Sequence, residues 1–172
     1  VSLAVRLYAM AMEQGISLAE LAKTFGANAK QLRAFFVRPN DPEHANLVGR
    51  IAAILHEDRD TLLAGDSTPT ASESFASWLT HQRQDMPIAT LRSRATIGAG
   101  TLLRLRTGES LPDTDQAERL NQVLGTNRTE FARFVVADMI RRESYGTTRP
   151  ATQNVKATPV SEKTQDKEAS QR

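Results

Sequence analysis

The chain has no cysteine, which excludes disulfides, thiolate metal sites and cysteine nucleophiles. Aromatic residues make up only 5% of it, a level that points to small helical cores rather than a β-sandwich. The three histidines, His44, His56 and His81, are not paired at ligand spacing, so no metal site is expected. GxGxxG, phosphate-loop, GxSxG and HExxH patterns are absent. The Gly98-Ala99-Gly100 run lacks the preceding strand and the lysine of a phosphate cradle. No catalytic residue, cofactor or enzymatic activity is therefore expected. No apolar run approaches the length of a membrane span, and the N-terminus lacks a basic-then-apolar signal pattern. The expectation is a cytoplasmic protein with no membrane partner. The first residue is Val1 rather than methionine, which leaves an excerpt and an alternative start both open.

What is present is helical periodicity. At 172 residues and 40% hydrophobic, the chain suits one ordinary domain or two small ones. Its organising stretch is Ile16 to Arg38. Leu18, Leu21 and Ala22 share one helical face, with Ser17 as the capping residue. Gly26 stands where a tight turn needs a positive φ, and Asn28 caps a second helix that buries Leu32, Phe35 and Phe36. Two short helices meeting through one glycine form a helix-turn-helix, which presents its second helix to a DNA groove.

The stretch occurs twice. Shifted by seventy residues, Leu91 falls on Leu21, Ile97 on Ala27, Gly98 on Asn28, Leu102 on Leu32, Leu105 on Phe35 and Pro112 on Pro42. Beyond the proline the match continues with one residue fewer, Arg50–Leu63 lying on Arg119–Ala132. Such a period indicates duplicated modules. The expected fold is all-α: two five-helix bundles, 1–65 and 75–144, joined by a small, polar linker, 66–74. Glu43 to Leu55 reads as a helix, Asp60 as the cap of a short turn after it, and Asp113 or Thr114 as the cap of the matching helix in the second half. His56 lies where the second copy has Gly125, at a helix end. Residues 145–172 have almost no large apolar side chain and are expected to form a disordered tail.

A net charge of +2 hides a local pattern. Leu21 to Asn40 contains Lys23, Lys30, Arg33 and Arg38 and no acid; Met86 to Gly108 contains Arg92, Arg94, Arg104 and Arg106 and no acid. A polyanion responds to these local fields rather than to the total.

The sequence resembles the lambda-repressor-like, Cro/repressor-type (XRE family) helix-turn-helix domain. The resemblance rests on Leu21-Ala22, Gly26-Ala27-Asn28, Leu32, Phe35 and Pro42 in the first copy. In the second it rests on Leu91, Ile97-Gly98, Leu102, Leu105, Gly108 and Pro112. It implies double-stranded DNA as partner, a role in transcription regulation and an association with the nucleoid. It places Asn28, Ala29, Lys30, Gln31 and Arg33 of copy one at the groove. Gln31 would pair with adenine, and Lys30 or Arg33 with guanine or phosphate. In copy two it places Gly98, Ala99, Gly100, Thr101 and Arg104 there, an arrangement suited to phosphate rather than base edges. Lys23 and Arg94 join the two sets from the basic windows. Four departures stand out. Arg92 replaces a small alanine, Thr96 replaces the turn glycine, Arg38 replaces the closing glycine of the first copy, and Leu18 and Ile88 occupy a position where the family uses glutamine. The fold therefore carries over better than the reading chemistry.

The last helix, from Arg128, carries Phe131, Phe134, Val135 and Met139 at the spacing of one face. This stripe exceeds what a small bundle needs and is assigned to homodimerisation. Two functions stand as expectations: a sequence-specific DNA-binding regulator, or a protein-interaction adaptor or anti-activator that holds another regulatory protein on the same bundle.

Overall fold

The computed structural model describes residues 2–64 and 68–145, and these form the expected all-α architecture. The first half holds α1 (Leu3–Gln14), α2 (Leu18–Thr24), α3 (Ala29–Val37), α4 (Ala45–Leu55) and α5 (Arg59–Leu63). The second holds α6 (Phe75–Arg83), α7 (Ile88–Ala95), α8 (Ala99–Thr107), α9 (Thr114–Leu124) and α10 (Arg128–Ser144). The shifts read from the sequence recur in the helix starts: α7 and α8 begin seventy residues after α2 and α3, and α9 and α10 begin sixty-nine after α4 and α5. Residues 68–74 are irregular. Part of the expected linker, 65–67, and the expected tail from residue 146 on lie outside the described residues.

Local chemistry sets the helix ends. Ser17 and Glu20 cap α2 reciprocally: the Glu20 amide donates to Ser17 Oγ at 3.1 Å, and the Ser17 amide to Glu20 Oε2 at 2.8 Å. Asp113 caps α9 in the same way with Gln116, and Asn127 caps α10. In the first half Asp58, not Asp60, caps α5, because its carboxylate accepts from the amides of Asp60 and Thr61. The helix expected from Glu43 opens as a single 3-10 turn, Pro42–His44, before α4 begins.

The turn between the helices of each pair is held by the same device in both copies. Gly26 and Thr96 both adopt positive φ, +67° and +54°. Over the first, the Arg50 guanidinium donates to the carbonyls of Gly26 (2.9 Å) and Phe25 (3.5 Å). Over the second, Arg119 donates to Thr96 (2.6 Å) and Ala95 (3.3 Å). These carbonyls belong to a helix end that has no partners within its own helix. His56 and Gly125 close α4 and α9 in the left-handed conformation, as their alignment implied.

The apolar cores of the two halves are continuous. α1 buries Leu3, Val5, Leu7, Tyr8, Ala11 and Met12, and it packs mainly on α9 and α10 of the second half, with a smaller contact to α2. The buried Tyr8 hydroxyl donates to the Pro112 carbonyl at 2.9 Å, and the Thr114 hydroxyl donates to the Ile16 carbonyl. A large side chain buried in this way contributes about 1.5–3 kcal/mol. The platform under α1 is itself pinned by the fork of Arg128, whose Nε and Nη2 donate to the nearly buried Glu118 at 2.9 and 2.7 Å.

The turn and the Glu118–Arg128 pair each yield a stability test. Threonine is β-branched and strained in the left-handed region, at a cost of about 1–2 kcal/mol. Thr96→Gly is therefore expected to raise the melting temperature. Gly26→Ala is expected to lower it, since a Cβ there would lie 2.8 Å from Arg50 Nη1 as well as at positive φ. Thermal melts monitored by circular dichroism check both signs. For Glu118, the hydrogen bonds from Arg128 outweigh burial and hold the carboxyl below its ordinary range. A depressed folded-state pKa gives stability that is present above the ordinary carboxylate pKa and lost as pH falls through the depressed value. Glu118→Gln should therefore destabilise the protein at pH 7 and lessen its further loss of stability toward pH 3, as read from urea midpoints at the two pH values.

Candidate nucleic-acid interface

In the first copy, Asn28, Ala29, Lys30, Gln31 and Arg33 occupy the cap and opening turns of α3, with Lys23 in the last turn of α2. All are exposed except the half-buried Ala29. Gln31 is committed locally. Its Oε1 accepts the Asn28 amide at 2.9 Å, while Asn28 Oδ1 accepts the Gln31 amide at 2.8 Å. Pairing with adenine needs both ends of the glutamine amide, so base reading would compete with this cap.

The start of α3 is also flanked by the other half of the chain. α3 packs on α10 as well as on α2. Ser17, Leu18, Ala29 and Arg33 line one side of a cleft of about 560 Å³, and Pro112, Asp113, Met139, Arg142 and Glu143 line the opposite side. Tyr8 lies beneath. Burial pushes its phenol well above the ordinary range, the negative charge of Asp113 adds to that shift, and Arg33 opposes it. Arg33 therefore sits within the electrostatic reach of a contact between the two halves.

In the second copy, Gly98 caps α8 with no side-chain hydrogen bond, where Asn28 caps α3 with one. Gly98, Ala99, Gly100 and Arg104 are exposed and Thr101 is half-buried; Arg94, with Arg92, stands exposed on α7. A Cβ added at Gly100 would meet nothing within 4 Å. α8 packs chiefly on α6, within its own half. Leu103 is 55% exposed on its outer side. Leu18 is buried and Ile88 half-buried, so neither takes the outward role of the glutamine it replaces.

The cations divide sharply. Among the described residues, none of Lys23, Lys30, Arg33, Arg38, Arg92, Arg94, Arg104 and Arg106 forms an ion pair or donates a side-chain hydrogen bond. Outside these windows the guanidinium groups of the described residues are engaged. Arg6 pairs with Glu57, Arg119 with Asp115, Arg128 with Glu118, Arg133 with Glu130, and Arg141 with Asp138. Arg50, Arg83 and Arg142 hold backbone carbonyls. Arg59 is the exception, exposed and without such a partner.

The dimer face assigned to α10 is corrected by the packing. Phe131 lies edge-on to Trp78 at 5.1 Å between ring centroids and tilted against Phe75 at 5.4 Å. Phe134 stacks on Trp78 at 4.8 Å, and Val135 and Met139 are buried as well. The apolar excess of this helix is taken up by α1 and α3 of the same chain, not by a second copy. Two residues tie the halves together by hydrogen bonds: Tyr8, which the sequence offers only as part of an apolar stripe, and Thr114, which it offers only as an alternative helix cap. The available signal was the width of two apolar stripes, on α1 and α10, each broader than one small bundle can cover. Among the described residues no three His, Asp or Glu side chains converge as a metal site would require, and no helix is long and apolar enough to cross a membrane.

Gln31→Glu separates the cap from the base reader. A glutamate keeps the reciprocal cap and suits a helix N-terminus. The variant is expected to melt within a few degrees of the parent, whereas Gln31→Ala, which breaks the cap, should cost about 0.5–1 kcal/mol in urea unfolding.

Comparison of the chain with protein-family models, with curated proteins and with solved structures finds no match in any of the three.

Proposed function

We propose that the chain binds double-stranded DNA as a regulator of transcription, using helix-turn-helix pairs of the lambda-repressor-like kind. The observation that carries this reading is the division of the cations. Among the described residues, both basic windows are left without a carboxylate partner while every other arginine but Arg59 is engaged. Clustered like charges raise the energy of the folded state, and phosphate would relieve that repulsion. The repeated turn device supports the reading further, because Arg50 and Arg119 pin the turn carbonyls of each helix pair. A turn held in place is what a helix presented to a groove requires.

The adaptor reading draws on one specific feature, the exposed Leu103 on α8. An apolar side chain at the centre of a charged surface also suits a protein partner carrying acidic residues around an apolar pocket.

The test is selection from a random duplex pool with the whole chain, followed by binding of the enriched duplex across a salt series. Enrichment of a motif, with log affinity falling linearly in log salt, is the expected result. Affinity independent of salt, or no retention of duplex at all, would move the assignment to the adaptor.

A further inference from the structure

We propose, on the premise that the chain binds DNA, that its two helix-turn-helix copies have divided the work: α7 and α8 hold the duplex, while α3 serves to anchor α10. Three observations on the first copy lead here. α3 is packed against α10, so the helix that would enter a groove already carries another helix. Its Ala29 and Arg33 face a cleft whose far wall includes Asp113 and Glu143, and these acids would repel a phosphate backbone brought to that place. Gln31, the side chain best suited to adenine, is occupied by the Asn28 amide.

The second copy is open where the first is closed. α10 is 17 residues long and reaches α3, while its counterpart α5 has only five residues, and α8 packs chiefly on α6. Arg92, Arg94 and Arg104 stand exposed and form no ion pair among the described residues. At the start of α8, Gly98 and Gly100 have no side chain to keep a sugar–phosphate backbone at a distance. Gly100 and Arg104 flank Leu103, the one large apolar side chain exposed on this helix. An apolar side chain at such a position contacts the C5 methyl of thymine. The interface is thus phosphate-dominated, with Leu103 as the residue that sets a preference for thymine-containing steps.

The test compares variants of the full chain on one duplex over a salt series. Removing Arg92, Arg94 and Arg104 together by alanine substitution is expected to weaken binding at least tenfold at physiological salt. The slope of log affinity against log salt should shrink by about 0.9 for each phosphate that the variant no longer neutralises. Arg59→Ala, which removes an exposed cation outside the windows that has no partner among the described residues, controls for loss of a unit charge and should change affinity less than threefold. Leu103→Ala should leave the slope unchanged and flatten the preference between thymine-rich and thymine-poor duplexes. Removal of Lys23, Lys30 and Arg33 completes the set. A weakening there equal to or greater than that of the second-copy variant would overturn the division of labour while leaving the DNA reading intact. Failure of the parent protein to bind any duplex in a salt-dependent way would instead remove the premise, and the inference with it.

Discussion

The structure depends on burying α10. Phe131, Ala132 and the unbroken run from Phe134 to Ile140 are all inside, so the helix needs cover on every side. Its own half supplies α6 and α9, and the remainder comes from α1 and α3. Even its buried acid is satisfied within this arrangement. Asp138 accepts from the Phe75 amide at 3.4 Å and from Arg141 at 2.8 Å, so the helix start of α6 and the last turns of α10 are tied together. A buried carboxylate with these partners resists any rearrangement that would strip one of them away. Arg142 extends the tie to the end of α8 by donating to the carbonyls of Gly108 and Glu109.

This constraint decides how far the duplication stays symmetric. The parts of the repeat that agree are short-range. The arginine over the turn, the left-handed residue beneath it and the left-handed closure of the fourth helix of each half recur at matching positions. They involve groups within about 25 residues of each other, and each copy can keep them independently. The parts that differ are long-range. α1 turns toward the second half, whereas α6, its counterpart, packs on α8 and α10. Once one terminal helix is 17 residues and the other five, the two halves cannot be covered by the same arrangement.

That distinction explains what is legible in the sequence. Helix starts, caps and turn residues are readable at Ser17, Gly26, Asn28 and Asn127 because each is specified by neighbours a few positions away. The stripe on α10 is also legible as too wide for a small bundle. What periodicity cannot encode is which surface covers such a stripe: Phe131, Phe134, Val135 and Met139 suggest a second copy, and the cover is α1, α3 and α6. Asp58 and Asp60 both precede the same short helix, and only the backbone amide directions select Asp58 as its cap. For the candidate interface, residue type and exposure are legible at Lys30, Arg94 and Arg104. The engagement of Gln31 in a cap and the acids opposite Arg33 are not, since the latter lie up to 110 residues away in the chain.

The charge pattern is then best understood as a consequence of the packing rather than as an independent feature. The second-half acids near the interface are placed by the shared core: Asp113 caps α9, whose next residue, Thr114, holds the α1–α2 loop, and Glu143 lies beside the Arg142 that closes α8. Bringing those acids to the first copy lowers the potential around α3. A polyanion approaching the molecule meets the two basic windows as unequal, although each contains four cations and no acid in the sequence. The asymmetry therefore originates in the length of α10, and the electrostatic difference between the copies follows from the helix that joins them.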